Sequence, residues 1–150
     1  MARKIRKMIY WLTGQPGAGK TTLAKSIMEL RYFNNWYHID GDDIRELFDN
    51  KDYSKEGRMK NIQLAQQLAQ YLHSKGQNVL VSLVSPYKEQ RESFKKKLEN
   101  AIKEVYVYTS EVRGREQFFV QDYEPPTENY IDMCTDNITV AECVEKIFKK

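Results

Sequence analysis

The chain has 150 residues, two cysteines, a hydrophobic fraction of 41% and a formal net charge of +3. That size suits one domain around one core, residues 1–150. It has no apolar run long enough to cross a bilayer, and the short run Met8 to Leu12 is too brief for a signal peptide, so a cytoplasmic protein is expected. The mild positive charge, scattered among acids, argues against a nucleic-acid partner and for a small anionic ligand. Cys134 and Cys143 have no metal spacing and read as reduced thiols. Lys95-Lys96-Lys97 and Lys149-Lys150 read as solvated helix surface.

In chain order, Ile5 to Thr13 is an apolar, β-branched and aromatic run that predicts a first strand. Lys20 to Tyr32 carries Leu23, Ile27 and Leu30 at helical spacing. Trp36 to Asp40 predicts a second strand. Asp42 to Phe48 predicts a short helix with Ile44, Leu47 and Phe48 on one side. Glu56 to Ser74 has the stripe Ile62, Ala65, Leu68, Ala69 and Leu72, stopped by Gly76. Val79 to Val84 is nearly all apolar, as in a parallel strand buried on both faces. Lys88 to Ile102 predicts a charged helix, Glu104 to Thr109 a fourth strand and Tyr130 to Cys134 a fifth. Thr139 to Glu142 fits a capping box before a closing helix, Val140 to Lys149. The stretch of about 109–126 has no persistent period, and such long loops often carry function, so it reads as a lid. Strands alternating with helices predict an α/β fold with a five-stranded parallel sheet between helical layers.

Gly14-Gln15-Pro16-Gly17-Ala18-Gly19-Lys20-Thr21, followed by Thr22, lies between the first strand and the first helix. This is a P-loop pattern, G-x-x-x-x-G-K-T. Its glycines let successive N–H groups curl around phosphate oxygens, and the helix start adds a positive dipole end. Lys20 would reach the outer phosphates of ATP, and the Thr21 hydroxyl can ligate Mg2+. Lys20 is expected at an exposed position. The predicted fold is therefore a three-layer P-loop NTPase or kinase.

Asp40 and Asp42 follow the second strand, at the sheet edge where ligands bind in open α/β folds. Either carboxylate can take a hydroxyl proton or orient a metal; both can instead cap the next helix. Arg45, Arg58 and Arg91 can hold an anion or be surface charge. Arg58 and Asn61 are one turn apart and share a helix face. Tyr53, Phe118 and Phe119 can sandwich a base or simply pack beneath the lid. Ser85 ends the third strand. His38 and His73 are isolated and read as structural.

Several segments in order resemble the adenylylsulfate kinases, P-loop enzymes that phosphorylate the 3′-hydroxyl of adenosine 5′-phosphosulfate. Trp11 to Ala24 resembles that family's loop, and Asp40-Gly41-Asp42-Asp43-Ile44-Arg45 its D-G-D-N-[IV]-R. Tyr53-Ser54, Arg58 and Asn61-Ile62 resemble F-S-x-x-x-R-x-x-N-I, and Val84 to Tyr87 with Arg91 resembles I-S-P-Y-x-x-x-R. Glu104 to Val107 and Tyr123 to Pro126 also match family positions. The resemblance implies ATP and Mg2+ as cofactors, with Thr21 and Asp40 on the metal and Asp42 beside the acceptor hydroxyl. It implies Asp40, Arg45, Tyr53, Arg58, Asn61, Ser85, Phe118 and Phe119 around the substrate. In that family the serine equivalent to Ser85 has been regarded as a candidate phosphoserine intermediate, but direct in-line transfer needs none, so Ser85 reads as a pocket residue beside the chemistry. One segment departs: the family's D-P-K-G-L-Y-K-K-A-R and F-T-G-I are missing from a much shorter stretch, Tyr108 to Tyr123, with Arg113, Gly114, Arg115, Phe118 and Phe119 as candidate remnants. Gln63 and Leu64 replace paired arginines. Another small-molecule or nucleotide kinase, or a nucleotide-binding module with little transfer activity, is thus the alternative. Oligomeric state is open, a homodimer included.

Overall fold

The computed structural model describes residues 6–31 and 35–149. The expected strand start at Ile5, the helix end at Tyr32 and the terminal Lys150 lie outside the described residues.

Five strands form one parallel sheet: β1 (Ile9–Thr13), β2 (Trp36–Asp40), β3 (Asn78–Ser82), β4 (Ile102–Tyr108) and β5 (Tyr130–Cys134), in the order β2-β3-β1-β4-β5. Alternation splits each strand between two apolar layers. Tyr10, Leu12, Leu80, Val105 and Val107 pack against α1 (Lys20–Leu30) and α5 (Val140–Phe148) through Leu23, Ile27, Val144 and Ile147. Ile9, Trp11, Val79 and Val81 pack on the other side against Ile44 of α2 (Gly41–Leu47), Ile62, Ala65 and Ala69 of α3 (Lys55–Ser74), and Phe94 of α4 (Lys88–Leu98). Burying each large aliphatic side chain contributes about 1.5–3 kcal/mol, so the two layers dominate stability. The three-layer α/β expectation holds, as does the capping box: Thr139 accepts from the Glu142 amide and the Glu142 carboxylate accepts from Thr139 N.

Four expectations are corrected. The fourth helix ends at Leu98, because Glu99 adopts φ 51, and Ile102 opens β4 opposite Ile9 rather than closing a helix. Strand β3 ends at Ser82, two residues short of Val84, although Leu83 N still donates to the Leu12 carbonyl and Gly14 N to the Val84 carbonyl. On α2 only Ile44 is buried; Leu47 and Phe48 are exposed. The lysine run is also not all solvated surface: Lys95 reaches the buried carboxylate of Glu104 at 2.8 Å. Both cysteines are free thiols. No described helix is long and apolar enough to cross a membrane.

The strand order reverses direction at β1, whose neighbours are β3 and β4. In open α/β sheets that reversal leaves a crevice beyond the carboxyl ends of the strands. Residues 14–19, the ends of β2 and β3, and the lid all converge there.

Candidate functional site

The loop after β1 is shaped by close approach. A Cβ on Gly14 would lie 2.0 Å from the carbonyl oxygen of Val107, so no other residue fits. Gly17 has φ 84, a conformation glycine adopts without strain. Lys20, the first residue of α1, is only 8% exposed, against the expectation of an exposed lysine. Its Nζ donates to the carbonyls of Gly14 at 2.7 Å and Gln15 at 2.9 Å. Burial lowers its pKa to about 8, opposed by the carboxylates of Asp40 and Asp42. A phosphate beside it would restore the charge that burial weakens.

One helical turn holds the Thr21 hydroxyl 3.0 Å from Asp40 Oδ1. The same oxygen accepts from Ser82 Oγ at 2.6 Å. Asp40 occupies the N-cap position of α2, yet its side chain makes no cap hydrogen bond, so the capping alternative fails for it. Asp42 lies in the first turn of α2 and is exposed. A hydroxyl and a carboxylate at this spacing are hard oxygen donors that suit Mg2+, which keeps several waters and phosphate oxygens as its other ligands. Among the described residues no denser cluster of metal-binding side chains exists.

Two cavities adjoin here. The first, about 440 Å³, is lined by Gly17, Gly19, Lys20, Thr21, Thr22 and Asp40, with Arg113 and Arg115 from the lid. The second, about 540 Å³, brings together Arg45, Tyr53, Arg58, Asn61, Ser85, Phe118 and Phe119. Asp42, Pro16 and Arg115 line both. Larger grooves of about 900 and 910 Å³ lie elsewhere, beside α4 and between α3 and α4. They hold none of the residues of the P-loop or the D-G-D segment, so size does not mark the site; chemistry does.

The second cavity has graded roles. Ser54 caps α3 by accepting from Gly57 N, and this start sets Arg58 and Asn61 on the cavity face. Arg58 forms no ion pair among the described residues and stays available to an anion. Asn61 is 5% exposed; its Nδ2 donates to the Gly41 carbonyl at 3.3 Å, and its buried Oδ1 has no partner among the described residues. Arg45 uses Nη1 to hold the carbonyls of Asn50 and Asp52 and lies over the Tyr53 ring at 3.9 Å. Its evident work is to support Tyr53. Phe118 and Phe119 both remain exposed on the cavity, and the structure brings both to it.

Arg91 fits neither of its two readings, and Ser85 keeps its place as a pocket residue. Arg91 is 3% exposed and fully engaged: Nε pairs with Glu104 at 2.7 Å, Nη1 donates to the Ser85 carbonyl at 2.6 Å and Nη2 to the Glu124 carbonyl. It braces the wall from behind and has no nitrogen free for an anion. Ser85 is 1% exposed with φ 47, and its Oγ accepts from Trp11 Nε1 at 2.9 Å. The left-handed conformation of a residue before proline is strained and persists because Trp11 and Arg91 hold it. Such a hydroxyl forms cavity wall; it is not placed as a carrier of phosphate.

The lid is tied down more firmly than its sequence suggests. The Gln15 carboxamide, expected at the phosphates, instead binds the main chain of Val120, with Nε2 donating at 2.7 Å and Oε1 accepting at 2.9 Å. Tyr123 OH lies 2.9 Å from Thr13 Oγ1. Arg113 donates to the Ala18 carbonyl at 3.1 Å, fastening the lid to the loop. Sequence reasoning also missed Ser82 and His38. His38 is not isolated: its Nε2 lies 2.6 Å from Ser82 Oγ. The parallel register of β2 and β3, which sets Ser82 opposite Asp40, brings them together and has no local signal in the sequence. His73 meets the Lys7 carbonyl at 3.0 Å and is structural.

Comparison with known proteins shows the family and the fold. A sequence model of the family described as adenylylsulphate kinase matches residues 6–118. The adenylyl-sulfate kinase of Microcystis aeruginosa is 32% identical, over 98% of this chain and 92% of that protein. A cytidine diphosphoramidate kinase of Campylobacter jejuni is 33% identical over 66% of this chain and 59% of that protein. The structure of the Mycobacterium tuberculosis APS kinase in complex with AMPPNP and APS superposes with a TM-score of 0.79 at 24% identity, covering 95% of each chain.

Proposed function

The chain belongs to the adenylylsulphate kinase family of phosphotransferases, and from that membership we propose that it transfers the γ-phosphoryl group of ATP to the 3′-hydroxyl of adenosine 5′-phosphosulfate. The observation that carries this reading is the position of Asp42 on both linings, between a P-loop cavity and a cavity holding Arg58, Asn61 and the aromatic residues. The first cavity takes the triphosphate and the second the acceptor. We take residues 1–150 as one kinase domain acting in the cytoplasm, with a lid of about 109–126.

In the proposed reaction the bond from the γ-phosphorus to the β,γ-bridging oxygen breaks, a bond to the ribose 3′-oxygen forms, and the hydroxyl proton passes to the Asp42 carboxylate. Lys20 exchanges the Gly14 and Gln15 carbonyls for phosphate oxygens. Main-chain N–H groups of residues 14–20 and the start of α1 orient the triphosphate. Arg115, on both linings, neutralises charge as the phosphoryl group moves. Thr21 and Asp40 would hold Mg2+, which would screen the phosphate charge. Arg58 pairs with the anionic end of the acceptor. Asn61 Oδ1, a buried acceptor, takes a hydroxyl donor such as that of a ribose rather than a sulfate oxygen.

That same orphan oxygen favours one second reading. An amidated phosphate carries N–H donors that a sulfate lacks, and the Campylobacter relative is named for a cytidine diphosphoramidate. Both acceptors, together with AMP, gluconate and shikimate, are to be tested with labelled ATP. Fastest transfer to adenosine 5′-phosphosulfate supports the first reading. Faster transfer to the diphosphoramidate overturns it in favour of the second.

A further inference from the structure

We infer that His38 and Ser82 are positioning residues for Asp40, forming a hydrogen-bond chain from the interior of the sheet that fixes the carboxylate which, on the reading proposed above, receives Mg2+.

Proton counting sets the direction of the chain. Asp40 Oδ1 accepts from Thr21 Oγ1 at 3.0 Å and from Ser82 Oγ at 2.6 Å. The Ser82 hydroxyl has one hydrogen, and an ionised carboxylate can only accept, so that hydrogen lies toward Asp40. The contact of 2.6 Å between Ser82 Oγ and His38 Nε2 must then be donation from the imidazole N–H. The histidine is thereby fixed with a proton on Nε2. Each bond polarises the next, which strengthens the short contact on the carboxylate.

The geometry comes from the sheet. The parallel register of β2 and β3 sets Asp40 opposite Ser82 and His38 opposite Leu80. On β2, His38 and Asp40 point to the same face, two residues apart. Ser82 is 2% exposed and His38 is half-buried, so the chain is shielded from water competition. Asp40 Oδ1 is saturated by two protein hydroxyls, while Oδ2 has no donor among the described residues. A carboxylate held by one oxygen presents the other in a fixed orientation, as outer partners of metal ligands commonly arrange. Ordinary packing explains a buried serine. It does not explain a serine between a histidine and the carboxylate that also receives the Thr21 hydroxyl.

The test compares wild type with Ser82→Ala, His38→Leu and His38→Gln. Calorimetry with a non-hydrolysable ATP analogue is run across a Mg2+ titration and again in EDTA, alongside metal-free melting curves. Ser82→Ala and His38→Leu should raise the Mg2+ concentration at half-saturation by about tenfold or more, with analogue binding in EDTA unchanged. His38→Gln, whose amide N–H can replace the donor, should lie closer to wild type. In steady-state assays the loss should be relieved by excess Mg2+. An unchanged Mg2+ requirement in folded Ser82→Ala, or an equal loss in EDTA, overturns the inference while leaving the proposed function intact. Mg2+-independent binding by wild type would overturn both.

Discussion

Gln15 and Val120 pair in both directions, side-chain amide to main-chain amide, so a loop residue next to the phosphate cradle also fixes the lid. On the proposed function the main chain, not this side chain, does the cradling. Gln15→Ala should therefore leave ATP affinity close to wild type and raise the acceptor KM by about tenfold, the scale of losing one or two net hydrogen bonds. Initial rates with each substrate varied in turn measure the split.

Asp42 is the acidic side chain common to both cavities, and Asp40 rather than Asp42 occupies the cap position of α2. Asp42→Asn preserves size and should lower turnover by about a hundredfold or more, the usual range for loss of a general base, with ATP affinity little changed. Near-normal turnover at saturating ATP would remove Asp42 from the chemistry.

Lys20→Ala should abolish transfer, and its burial adds a second effect. The Gly14 and Gln15 carbonyls lose their donor, so the metal-free protein should lose about 1–3 kcal/mol of stability. Denaturant unfolding beside a rate assay separates the two.

Arg91 gives the opposite pattern. Breaking its buried pair with Glu104 by Arg91→Met should destabilise the fold by about 3–5 kcal/mol. In protein still folded at low temperature, the acceptor KM should change less than in Arg58→Ala. A large KM effect with unchanged stability would return Arg91 to the substrate.

Asp136 anchors the start of the lid by accepting from Ser110 and Thr109, and these hydrogen bonds hold its carboxyl well below the ordinary carboxylate range. A depressed folded-state pKa contributes stability above the unfolded value of 3.8, and that contribution is lost as pH falls below it. Asp136→Ala should thus melt below wild type across about pH 5 to 8, with the gap closing at more acidic pH. Thermal scans over that range check the direction.

The sheet, its helices and the P-loop were legible because apolar periodicity and glycine placement are local properties. The D-G-D and S-P-Y segments also pointed to the right edge of the sheet. What local pattern hides is partnership. Arg91 reads as either an anion ligand or surface charge, yet pairing with Glu104, thirteen residues on, makes it a buried brace. His38 reads as isolated because Ser82, forty-four residues away, becomes its neighbour only through the β2–β3 register. Leu47 and Phe48 fit a helical stripe, but α2 ends before any layer covers them.

Both ends of the lid are fastened to the frame: Thr109 and Ser110 to Asp136, Tyr123 to Thr13, and Glu124 to the Pro86 carbonyl and Arg91. Chain added or deleted between these moorings leaves the sheet in place, whereas the P-loop meets it through Val120 on Gln15 and Arg113 on Ala18. Its cost is mainly loop entropy, which rises by only about 0.6 kcal/mol for each doubling of length. The alignment with the Microcystis kinase runs over 169 positions against the 150 residues here, so that relative carries insertions. A change of length in this segment therefore reaches the phosphate end of the site as well as the acceptor end, because Arg115 lines both cavities.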